Sequence, residues 1–177
     1  MRTHSRLIQL MAIAAIAGPV PAAEPVNITM HRVDSEAVRH AIGTIRATST
    51  PYGVVFEPDL SGLPAGIHGF HMHQNPNCDP GEKGGKKVAA LKAGGHFDPD
   101  HTGTHQGPYG NGHLGDLPAL TVAADGVASL PVLAPRLRLL DLANRSLVVH
   151  QGADNYSDQP SLGGGGARIA CGVVPRQ

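Results

Sequence analysis

Short segments of β-type sequence succeed one another from Val26 to Val174, each closed by glycine, proline or an Asp-Gly pair, and that cadence leaves few folds open. Val26 to Met30 alternates apolar and polar residues, as does Ala41 to Ala47, with Ala41, Gly43, Ile45 and Ala47 on one face. Val54-Val55-Phe56 and Gly69 to His73 follow, separated by Pro58 and the turn Gly62-Leu63-Pro64. Ala119 to Ala124 and Val127 to Val132 flank Asp125-Gly126, a two-residue hairpin signal. Ser146 to His150 and Ala167 to Val174 close the chain, and Leu133 to Asn144 has room for a turn of helix at most. With 23 Gly and 15 Pro in 177 residues, many turns and few long helices are expected. The pattern predicts one all-β domain, an antiparallel β-sandwich or barrel.

Two stretches do not read as strands. Asn75 to Leu117 is long and rich in Gly and Pro, and Gly152 to Gly166 ends in four consecutive glycines. Loops this long in a compact domain are either functional or disordered. Of the 11 histidines, seven lie between His68 and His113, so metal and a cross-link are the expected sources of order in the first loop.

The amino terminus reads as an export leader. Arg2 and Arg6 precede the apolar run Leu7 to Val20, and Val20-Pro21-Ala22-Ala23 offers a cleavage site. Residues 1–23 are therefore expected to be a signal peptide and 24–177 the mature domain, in an oxidising, periplasmic compartment. The apolar run is short of the roughly 18 residues that a membrane span needs. In such a compartment Cys78 and Cys171 suit a disulfide, although buried free thiols are the alternative and spacing alone does not decide. Lys plus Arg and Asp plus Glu number 14 each, so no global charge favours nucleic acid or an anionic membrane.

His71-Met72-His73 is the sharpest local feature. Residues i and i+2 of a strand share a face, so His71 and His73 can grip one ion from one side. His68 has the opposite parity and reads as a hydrogen-bonded structural residue. Next come His96, His101, His105, His113 and Asp116, all on loop sequence. Three imidazoles and a carboxylate make a closed tetrahedral zinc shell, whereas magnesium and calcium prefer oxygen alone. His150 ends the apolar run Leu147-Val148-Val149, a position that suits either a satisfied core histidine or a further ligand of an all-imidazole copper site. His31 and His40 read as surface residues.

These segments resemble the copper/zinc superoxide dismutase family in its bacterial periplasmic branch. The matching motifs are Gly69-Phe70-His71-Met72-His73, Gly94-Gly95-His96-Phe97-Asp98-Pro99, His105-Gln106-Gly107-Pro108 and Gly112-His113-Leu114-Gly115-Asp116-Leu117-Pro118, with Val148-Val149-His150 and Gly163 to Val173, which contains Arg168-Ile169-Ala170-Cys171-Gly172-Val173. The resemblance implies a Greek-key antiparallel β-sandwich, or flattened barrel, with two long functional loops. It implies one copper per subunit on His71, His73, His96 and His150. It also implies one zinc on His96, His105, His113 and Asp116, with His96 bridging the two. It selects His105 over His101, places Asp154 as the carboxylate linking His71 to His105, makes Arg168 the active-site arginine, and pairs Cys78 with Cys171. The implied substrate is superoxide, converted to dioxygen and hydrogen peroxide by a copper redox cycle in which His96 gains and passes on a proton. The implied assembly is a monomer or a homodimer.

The chain departs from eukaryotic members in its charged rim. Asn155 to Gly166 contains only Asp158 as a charged group, so Lys83, Lys86 and Lys87 are the expected substitutes for attracting an anion. A noncatalytic copper/zinc-binding or copper-delivery module on the same sandwich is the main rival. Such modules typically lack a copper histidine or the arginine, and His150 and Arg168 are both present. An adhesion domain would need an exposed apolar patch, for which three Tyr and three Phe offer little material.

Overall fold

Eleven strands carry the described part of the chain: β1 (Val26–Val33), β2 (Val38–Thr50), β3 (Gly53–Leu60), β4 (Gly66–His68), β5 (Phe70–His73), β6 (Gly81–Lys83), β7 (Lys86–Val88), β8 (Leu120–Val122), β9 (Val132–Ala134), β10 (Ser146–His150) and β11 (Arg168–Val173). The computed structural model describes residues 23–176, so the leader reading, Ala23 apart, lies outside the described residues. Seven strands form one antiparallel sheet in the order β5-β10-β11-β1-β2-β3-β9, with β4-β8 and β6-β7 as separate pairs. Three consecutive strands, β1 to β3, thus lie side by side, and β11 returns from the far end of the chain to pair with β1. That long return beside β1 is of the Greek-key kind, although seven strands intervene between β3 and β11.

One apolar cluster draws side chains from β1, β2, β3, β5, β8, β9, β10 and β11, so the sheet curls around a single core. Alternation selects the inward residues: Ile28 and Met30, Val54 and Phe56, Phe70 and Met72, Leu147 and Val149. The Phe56 and Phe70 rings meet edge to face, with centroids 5.5 Å apart. A smaller cluster of Val33, Cys78, Ala90, Ala93, Val148 and Cys171 lies outside the main core and surrounds the Cys78–Cys171 disulfide.

Four local expectations are corrected. Ala41 is exposed and Ile42 buried, because the register runs from Met30 opposite Gly43 to His31 opposite Ala41, leaving Ile42 as the extra residue of a bulge. Pro58 lies inside β3, opposite Ile45, beyond the last pair with β9, where a missing N–H costs no ladder bond on the outer side. The turn at Asp125-Gly126 is present, with the Ala123 N–H donating to Val127 O (2.8 Å), yet its arms part. β8 pairs with β4, Ala128 bridges Leu60 and β9 joins β3, since each arm gains more ladder on a neighbouring strand. Finally, the loop from Asn75 to Leu117 contains the β6–β7 hairpin and a 3-10 turn at Leu91–Ala93.

The disulfide joins residues 93 apart in sequence, tying the first long loop to β11. In the chain-entropy view a cross-link over so long a span is worth several kcal/mol. Replacing both cysteines with serine is expected to cost about 2–5 kcal/mol, read as a lower urea midpoint of the metal-free protein. An unchanged midpoint would show that the loop is held without the cross-link.

Candidate metal centre

β5 and β10 run side by side, with Val148 opposite His71 and Ser146 opposite His73. Phe70 and Met72 enter the core, which sends His71 and His73 to the outer face, where the long loops cover them. His150 ends β10 next to them and pairs across with Arg168 on β11.

The loop residues arrive through three backbone hydrogen bonds that close on themselves. The Met72 N–H donates to Gly115 O (2.9 Å), the Gly115 N–H to Phe97 O (2.8 Å) and the Phe97 N–H to Met72 O (2.9 Å). Single bridges pair His71 with Asp116 and His73 with His96. A side chain at Gly115 would meet Met72 O at 2.2 Å, so only glycine allows this approach.

His71, His73, His96 and His150 are all buried, and each offers a ring nitrogen within 4.8 Å of the others. Carbonyls and carboxylates can only accept, which fixes the tautomers of three rings. The Nε2–H of His71 donates to Asp154 Oδ2 (2.5 Å), the Nδ1–H of His73 to Gly94 O (2.9 Å) and the Nδ1–H of His150 to Gly166 O (3.1 Å). The opposite nitrogens, His71 Nδ1, His73 Nε2 and His150 Nε2, have no protein partner, and neither does His96 Nε2. A buried polar atom left without a partner costs about 1–3 kcal/mol. Four such lone pairs converging on one point fit a metal that prefers imidazole.

On the other side of His96 a second set forms around one carboxylate oxygen. Asp116 Oδ1 lies 2.9 Å from His96 Nδ1, 2.8 Å from His105 Nδ1 and 3.2 Å from His113 Nδ1. The His105 contact is out of line for a hydrogen bond, as expected of two ligand atoms facing a shared ion. Three nitrogens and an oxygen fit zinc. Asp154 joins the two sets, since its Oδ1 accepts from His105 Nε2 (2.8 Å) and from the Tyr156 N–H (2.7 Å).

The electrostatics match these roles. Burial, followed by the neighbouring His96, pushes His71 down to about 3. Burial likewise takes His150 to about 4 and holds His73 and His96 below 6.5, so all four rings are neutral at pH 7. Burial also opposes charge on Asp116 and Asp154, yet the His105 ring beside both, with hydrogen bonds from His96 to Asp116 and from His105 and His71 to Asp154, keeps both carboxylates well below their usual range. For His105 burial is outweighed by the same two carboxylates, which raise it to about 9.

Arg168 donates from Nη1 to Ala90 O (2.5 Å) and from Nη2 to Gly94 O (2.7 Å), and forms no ion pair among the described residues. Gly94 O therefore accepts from both the guanidinium and His73. The sequence reading missed Gly94, because an acceptor on the backbone leaves no side-chain signature. Gly163, where the family motif through Val173 begins, has φ 75° and packs so close that a side chain would meet Asp154 Oδ1 at 2.1 Å, a contact that neither the motif nor the run of four glycines discloses. His68 is buried, with its ring nitrogens 2.8 Å from the carbonyls of His150 and Pro64. His101 and His40 are exposed and His31 is half-buried, all outside the two sets. Among the three lysines, Lys87 pairs with Glu36 (2.6 Å) and lines a shallow cavity with Arg168, whereas Lys83 and Lys86 face each other across the β6–β7 hairpin.

Comparison with known proteins agrees with this geometry. The family model described as copper/zinc superoxide dismutase matches residues 41–174. A copper-zinc superoxide dismutase of Salmonella typhimurium is 53% identical over 173 residues, spanning 96% of this chain and 98% of that protein. The structure of the copper/zinc superoxide dismutase from Brucella abortus superposes with a TM-score of 0.84 at 49% identity, covering 86% of this chain and all (100%) of that one. The solution structure of the monomeric enzyme from Salmonella enterica gives 0.78 at 51%, with the same 86% and 100% coverage.

The lowered histidines set a pH dependence for the metal-free protein. Above pH 6.5 the four rings are neutral in both folded and unfolded chains. As pH falls below 6.5 the unfolded chain binds protons that the folded one refuses, and stability declines towards the folded values of about 3 for His71 and about 4 for His150. His105 acts oppositely: its contribution is complete below 6.5 and is lost as pH rises through about 9. The urea midpoint of metal-free protein should therefore drop between pH 7 and pH 5, each ring contributing up to about 1.4 kcal/mol per pH unit. A flat midpoint over that range would contradict the burial of these rings.

Proposed function

The chain belongs to the copper/zinc superoxide dismutase family, enzymes that use one copper and one zinc per subunit, and from that premise we propose that His71, His73, His96 and His150 hold the copper and His96, His105, His113 and Asp116 the zinc. The observation that carries the assignment is the convergence of four buried, partnerless ring nitrogens, His96 among them, with the other nitrogen of His96 beside Asp116. Bound there, copper would supply the one-electron couple needed to convert two superoxide anions and two protons to dioxygen and hydrogen peroxide, and zinc would supply fixed positive charge.

The remaining work falls to side chains. Arg168 keeps its charge and offers donors beside His150, where an anion can be held against its guanidinium. His96 has Nδ1 directed to Asp116, which leaves Nε2 as the atom that holds a proton and passes it to the departing peroxide. Asp154 keeps the His71 and His105 rings in one orientation and one tautomer. Lys87 lies near Arg168 but is paired with Glu36, so the unpaired positive charge at the approach is that of Arg168.

Residues 1–23 act as a leader, and the mature chain beginning near Glu24 works in the periplasm, where the Cys78–Cys171 disulfide persists. One subunit carries every proposed ligand of both ions, so a monomer suffices, as in the Salmonella enterica relative, and a homodimer would add no ligand.

Superoxide decay with protein carrying both metals tests the assignment. A rate on the order of 10⁸–10⁹ M⁻¹s⁻¹ is expected, superoxide dismutase being among the enzymes that define that ceiling. His150→Ala, loaded identically, should show no decay beyond free copper, and Arg168→Met should be slower by about ten- to a hundredfold. Tight binding of both metals without decay in the unaltered protein would favour the copper-delivery reading instead.

A further inference from the structure

Between His105 and His113 the chain has no strand or helix to hold it, yet it must present two imidazoles to one point. Four of its backbone carbonyls turn towards a single side chain. Arg136 donates from Nε to Pro108 O (3.2 Å), from Nη1 to Gly112 O (3.0 Å), and from Nη2 to Gly107 O (3.4 Å) and to His113 O. It sits two residues beyond β9, which Ala134 pairs to Val54, so its backbone is anchored to the edge of the barrel. The guanidinium is half-buried and forms no ion pair with a carboxylate among the described residues. Its charge is met by carbonyl dipoles alone.

We propose that Arg136 is a positioning residue for the zinc half of the centre; this rests on the metal assignment above. All four bonds land within the segment from residue 107 to 113, bounded by the zinc ligands His105 and His113. The copper-side rings donate to Asp154, which also accepts from His105, and to Gly94 and Gly166, and none of these three bonds to Arg136. Other ties join the loop to itself, with the His113 N–H donating to Thr104 O (2.9 Å) and the Gln106 N–H to Asp116 Oδ2 (3.2 Å), or to the second long loop, with the His105 N–H donating to Asp158 Oδ1 (2.9 Å) and its Nε2–H to Asp154 Oδ1 (2.8 Å). Arg136 ties it to the barrel. A lysine would keep the charge but offers donors from one point, so it cannot span carbonyls on both sides of the turn.

The test is zinc and cobalt binding to the metal-free full-length mature protein, its Arg136→Lys variant and Arg136→Met. Loss of a group that orients ligands is expected to weaken zinc binding about 10- to 100-fold. It should also shift the visible cobalt(II) bands, with copper affinity and the thermal midpoint of the metal-free protein left near wild type. Lysine should not rescue. Unchanged zinc affinity and cobalt spectrum would overturn the proposal, and so would equal losses for both metals with a lowered metal-free midpoint, which marks a general stability role. If neither variant folds, the Arg136 Nε–H resonance of the unaltered protein decides: a shift on adding zinc but not copper(I) supports the proposal, and no shift on zinc overturns it. Failure of the unaltered protein to bind zinc would instead count against the metal assignment.

Discussion

Met72, Gly115 and Phe97 are joined by a closed cycle of backbone hydrogen bonds, and the metal centre depends on it. His71 and His73 flank the first residue, Asp116 follows the second and His96 precedes the third. Four of the proposed ligands, from three distant parts of the chain, are thus set by main-chain geometry before any side chain chooses a rotamer. Strand edges are open to pairing, and here the outer edge of β5 is occupied by loop backbone rather than by another strand. The loop gains order from the sheet, and the sheet edge is covered by the loop.

The same arrangement marks the boundary of what the sequence discloses. Strand parity places His71 and His73 on one face because β5 is regular, whereas β10 and β11 are marked by their apolar runs despite a register shift at Val149/His150. Parity failed at Ala41, where one bulged residue exchanges the inner and outer faces. Spacing could not choose between His101 and His105, because both lie on irregular backbone; family resemblance made that choice. Arg136 and Gly94 were invisible for a different reason. Their partners are carbonyls, which every residue possesses, so nothing in the composition of residues 107–113 announces a guanidinium.

Charge is distributed unevenly across the centre. Asp116 and Asp154 stay ionised beneath His96 and His105 because imidazole donors surround them, while Arg168 holds an unbalanced positive charge beside His150. An anion approaching from solvent therefore meets the cation first, with both carboxylates screened behind His71, His96 and His105. Only side chains fixed by the disulfide-tethered loop and the glycine run keep these signs apart.

Along β5, core residues and proposed ligands alternate: Phe70 and Met72 pack inward, His71 and His73 outward. Packing and chemistry therefore draw on disjoint sets of positions. Mutational drift among the inward residues is judged by how well they fill the barrel, and drift among the outward ones by whether metal still binds. A lineage can retain the barrel intact after its ligands decay, or refine the ligands while the barrel repacks. Such a scaffold can outlive its first activity and be recruited to another.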